Sequence, residues 1–121
     1  LPDLEGALAW NQLMGARIDY QESSVKVAFP EVVREHNERV VKLAGFMMPL
    51  ETDLVQRRFL LTSNPPSCFF HIPGGPAGAV EVFAPEGVEA TWDPISLEGR
   101  FELLETDDYG VIYRLQDAKL L

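Results

Sequence analysis

Cys68 and His71 combine metal-ligand chemistry with ligand spacing, inside Pro65-Pro66-Ser67-Cys68-Phe69-Phe70-His71-Ile72. A thiolate and an imidazole three residues apart can clasp one zinc or copper ion from a turn, because the turn carries both donors to one side. A structural zinc site takes about four protein ligands. The segment offers two, so His36 and carboxylates elsewhere would have to complete the set. The same pair also reads as a thiol beside an activating imidazole, since a neighbouring imidazolium lowers a thiol pKa and makes the sulfur nucleophilic. A hydrolase of that kind needs an orienting Asn or Asp and an oxyanion hole, and no motif supplies them. The plain alternative is a thiol packed between Phe69 and Phe70, with His71 bonded to loop backbone. As the sole cysteine, Cys68 cannot form an internal disulfide, although it could meet a partner's cysteine. Covalent haem is excluded, because Cys-x-x-Cys-His is absent.

Other residues invite chemistry less strongly. Met47 and Met48 fall on opposite faces of a strand, so one thioether turned toward the Cys68 loop would complete a soft set suited to Cu(I). Methionine filling an irregular core is the simpler account. Gly74-Gly75-Pro76-Ala77-Gly78 lacks the Lys-Ser/Thr and the following helix that a phosphate cradle requires. Asp107-Asp108 lacks the ladder of oxygen ligands of a calcium loop and reads as a hairpin turn.

The segments that must position these residues are mostly strands. The Cys68 pair sits in the least regular stretch, Ser63 to Gly78, whose prolines and glycines forbid helix and central strand. A loop of that length in a compact domain tends to be functional or disordered, and its aromatic content argues against disorder. Phe69, Phe70 and Ile72 cannot all be buried by so short a loop, which predicts an apolar contact patch beside it. Val25, Val27 and Phe29 alternate on one strand face, and Pro30 opens a short charged helical insert near 30–37. Arg39 to Met48 is dense in strand formers and stops at Pro49. Further strands follow at Arg57–Thr62, Ala79–Phe83 and Ile95–Leu103, with Val111–Leu115 as the return arm of a hairpin. Ala7 to Met14 is a short N-terminal helix or hook.

One internal echo narrows the architecture. Val41-x-Leu43-x-Gly45 and Ile95-x-Leu97-x-Gly99 share a spacing, with glycine two places after leucine on the same face. Glycine there weakens a flat strand but lets it bend where a small barrel closes. About six strands, two of them bent at glycine, predict a mainly β chain folded as a small OB-like β-barrel. A small open β-sandwich is the second choice.

Composition bounds the rest. The chain has 121 residues, which suits a single domain over 1–121, and its 24% charged and 46% hydrophobic content is that of a globular protein. Ten Lys and Arg against nineteen Asp and Glu leave a formal charge of −9, with no basic cluster. Tracking phosphates needs local positive charge, so nucleic acid is not an expected partner. No apolar run reaches the ~18 residues of a membrane helix.

Three stretches carry a family likeness: Trp10-Asn11-Gln12-Leu13; Gly45-Phe46-Met47-Met48-Pro49-Leu50-Glu51; and Phe59-Leu60-Leu61 leading into the Cys68 loop and Gly74-Gly75-Pro76. Together they resemble the bacterial exported family called domain of unknown function 3299. The resemblance implies a periplasmic or lipid-anchored protein, some of whose relatives are encoded near transport systems, and it assigns no reaction. The expected protein is therefore a periplasmic, non-enzymatic binding or accessory module associated with a membrane transport component or another periplasmic protein. A zinc- or copper-handling accessory using Cys68 and His71 is the second reading, and a thiol-dependent enzyme the third.

Overall fold

The computed structural model describes residues 6–20, 25–64, 76–104 and 111–121. Strands β3 (Val40–Pro49), β4 (Val55–Thr62), β5 (Ala79–Glu89), β6 (Ile95–Leu103) and β7 (Tyr113–Leu120) close a barrel in the order β3-β4-β5-β7-β6. Neighbours are antiparallel except β5 and β7, which run parallel. The barrel, not the open sandwich, is the fold of this chain. Alternation explains it: Leu43, Met47, Phe59, Leu61, Val80, Val82, Leu97, Phe101 and Leu115 all turn inward and form one buried cluster.

The echoing segments turn out to be partners. Val41 faces Gly99, Leu43 faces Leu97 and Gly45 faces Ile95, so the repeated spacing is the register of the β3–β6 ladder. Each glycine sits where regular pairing breaks. At Gly45 strand β3 changes partner: Val40 to Gly45 pair with β6, and Phe46 to Pro49 pair with β4. At Gly99 the β6–β7 register shifts, Glu98 facing Lys119 and Arg100 facing Gln116, so Asp117 and Ala118 together oppose one residue. Asp117 takes the left-handed φ of 52° at this bulge, a conformation Asp tolerates better than most side chains.

The N-terminal region seals one end of the barrel. Helix α1 (Trp10–Leu13) inserts Leu13 into the core, and Tyr113 donates from its hydroxyl to the Leu13 carbonyl over 2.6 Å. Burial pushes the Tyr113 phenol upward, so it stays a donor. Its ring packs on Phe101 and Phe29 at 5.5 and 5.7 Å between centroids. The Trp10 indole donates to the Ala44 carbonyl. Strands β1 (Arg17–Tyr20) and β2 (Val25–Ala28) form a separate antiparallel hairpin. Helix α2 (Glu31–Arg34) follows Pro30 and buries Val33. Among the described residues no helix is long and apolar enough to cross a membrane.

Candidate functional site

The Cys68, Phe69, Phe70, His71 and Ile72 loop lies outside the described residues. Met47 and Met48 lie within them and face opposite ways: Met47 enters the barrel core, while Met48 packs outside with Leu60 and Val111. Among the described residues no group of three His, Cys, Asp or Glu side chains is placed to hold a metal ion.

The far end of the barrel, opposite α1, holds a feature suited to binding. The β3–β4 connection, residues 50–54, and the β5–β6 connection, residues 90–94, lie side by side, joined by Ala90 N–H donating to the Leu54 carbonyl. Between them opens a cavity of about 280 Å³ lined by Met47, Pro49, Leu54, Ala90, Thr91 and Trp92. A second depression continues from it across Leu50 to Asp53. Trp92 is 75% exposed and Leu54 66%, and Leu50 and Val55 are exposed beside them. Single exposed apolar residues are ordinary on a protein surface, but Leu54 and Trp92 lining one cavity, with Leu50 in the adjoining depression, form a patch of the kind that marks a contact site.

This rim is held by polar groups. Gln56 is fully buried, and its side chain serves the loop on both sides. Its Oε1 accepts from the N–H groups of Leu50 and Glu51, and its Nε2 donates to the carbonyls of Glu51 and Asp53. Glu51 Oε1 in turn accepts from the N–H groups of Arg57 and Arg58 at 2.7 and 3.1 Å. Those backbone donors lower the Glu51 carboxyl pKa, so the group is a fixed negative charge on the rim. Gln56→Leu keeps the volume but strands four backbone groups, some of which water can reach. It should cost about 2 kcal/mol in urea unfolding and loosen residues 50–54 in amide exchange. Full stability in that variant would show that the amide does not organise the loop.

A second polar cluster lies on the outer face of the barrel. Glu81 on β5 is buried, yet it faces outward beside Leu60 of β4 and Arg114 of β7 in register. Its Oε2 accepts from Arg58 Nη2 at 2.6 Å and Nε at 3.1 Å, and its Oε1 accepts from Arg114 Nε at 2.8 Å. Both guanidiniums also lie over Phe83, 5.9 and 5.4 Å from the ring centroid. The β5–β7 ladder contains two register pairs, Glu81 with Arg114 and Val82 with Leu115, so this bridge reinforces the shortest seam of the barrel.

Trp92, Gln56 and Glu81 were not singled out from the sequence. For Trp92 a signal existed: an aromatic within Ala90-Thr91-Trp92-Asp93-Pro94, a turn sequence, has little strand to hide in. Gln56 and Glu81 gave none, since burial of a polar side chain depends on what folds over it.

No curated protein matches the chain. Among solved structures it is similar to a DUF3299 family protein from Pseudomonas aeruginosa PAO1, with a TM-score of 0.61 and 21% identity over 78% of this chain and 67% of that one. That likeness concerns the fold. The family model for the protein of unknown function DUF3299 matches residues 8–120. With the match running from α1 to the last residue of β7, the chain belongs to the DUF3299 family.

Proposed function

We propose that this chain is a non-enzymatic binding module of the bacterial periplasm, accessory to a membrane transport system, and that it holds its partner at the open end of the barrel. The carrying observation is the cavity between residues 50–54 and 90–94, walled by Leu54 and an exposed Trp92. Tryptophan in such a place is the residue most enriched among the few that carry binding energy in protein contacts. The rim is held by Gln56 in the free protein, so little ordering cost remains when a partner docks. The compartment and the transport association rest on the resemblance to exported relatives.

A photo-crosslinking amino acid placed at position 92 in the native host tests this reading. Adducts with one identified envelope or transport component are expected at position 92 but not at exposed Lys26 on β2, and Leu54→Lys should abolish them. Equal labelling from both positions, or none from position 92, would overturn the proposal. Fractionation of the same cells should place the protein in the periplasmic or envelope fraction.

A further inference from the structure

Building on the barrel-end reading, we infer that the occupant of the groove is a cationic peptide segment of a partner protein, with an apolar centre flanked by Lys or Arg. The cavity and its extension supply the apolar half of the argument, with Trp92 and Leu54 as walls. Charge supplies the other half. Across residues 50–57 and 88–94 the side chains include Glu51, Asp53, Glu89 and Asp93 against one cation, Arg57. All four carboxylates are exposed, and Glu51 is fixed in its ionised form by two backbone donors. Glu51 and Asp53 line the extension of the slot, and Glu89 and Asp93 lie at the end of β5 and in the loop that carries Trp92, so carboxylates outnumber cations around it.

Like charge facing like charge across an interface is costly, and opposite charge accelerates encounter and fixes orientation. An acidic partner is disfavoured on that ground. So is an anionic lipid surface, which would otherwise suit an exposed tryptophan, because its headgroups would face the same carboxylates. An apolar core carrying two or more Lys or Arg residues satisfies both halves.

The test uses the whole protein with two synthetic peptides that share a Leu-Phe-Leu centre, one flanked by lysines and the other by glutamates. It adds vesicles of phosphatidylglycerol and phosphatidylethanolamine. The lysine peptide should bind about tenfold more tightly than the glutamate peptide, and more weakly as salt rises. Glu89→Lys with Asp93→Lys should invert that preference, while Trp92→Ala should weaken both peptides. Equal affinities, a preference unmoved by the double substitution, or binding to vesicles instead of the lysine peptide would each overturn the inference. If the lysine peptide fails while crosslinking from position 92 persists in cells, the charge argument falls and the barrel-end reading stands. If both fail, both fall.

Discussion

Alanine at Gly99, or at Gly45, is expected to lower the stability of the protein by about 2–3 kcal/mol each, large for a single added methyl group. At Gly99 a β-carbon would meet the Gln116 carbonyl oxygen and Leu115 Cγ at 2.8 Å, with Ala118 Cα at 3.1 Å. At Gly45 it would meet Leu61 Cγ at 2.7 Å and the Thr62 carbonyl oxygen at 2.8 Å. In both places a contacting atom is backbone of the neighbouring strand, so rotating a side chain cannot relieve the clash. The strands must separate, and in a closed barrel that displacement passes to the next pair. Alanine would ordinarily gain a few tenths of a kcal/mol by restricting the unfolded chain, which the overpacking outweighs. Valine at either site should leave too little stability for a folded population. Urea unfolding measures the loss, with exposed Lys42→Ala on β3 as the control. Alanine variants within about 0.5 kcal/mol of the parent would show that the strands do not approach so closely.

The second large effect is an asymmetry around Glu81. Replacing Arg58 and Arg114 together by methionine should cost about 3–5 kcal/mol, because the carboxylate stays buried without its two cations. Glu81→Gln should cost clearly less, since both arginines are partly exposed and water can solvate them. Adding Glu81→Gln to the double methionine variant removes the stranded charge and should recover part of the loss. Urea unfolding of the double and triple variants reads this directly. No recovery in the triple variant would place the cost in packing over Phe83 and not in the stranded charge.

How much of this was legible beforehand follows from the range of each interaction. Ile95 to Leu103 alternates without interruption, and β6 has those bounds. Strand β3 likewise begins within one residue of the expected start and ends at Pro49. By contrast β5 runs six residues beyond Phe83, to Glu89, and β7 continues past Leu115 to Leu120. Those extensions escape a periodicity argument. Pro85 and Gly87 interrupt one of them, and the bulge at Asp117 shifts the alternation of the other. Strand β1 was missed because four residues, Arg17 to Tyr20, carry too short a pattern to notice.

Residue types and their period along the chain determined the strand faces, the short helical insert and the barrel-closing role of Gly45 and Gly99. These are local matters: a side chain in a strand alternates whatever lies beside it, and a missing β-carbon permits a bend wherever it occurs. The tertiary structure alone decided that the two glycine segments pair with each other, that Glu81 lies buried between two arginines, and that Leu54 and Trp92 share one cavity. Leu54 and Trp92 are separated by two whole strands in sequence, and only closure of the barrel brings their loops to the same end. Burial, pairing and cavities are properties of surfaces that meet, and the register of a closed sheet chooses which surfaces those are.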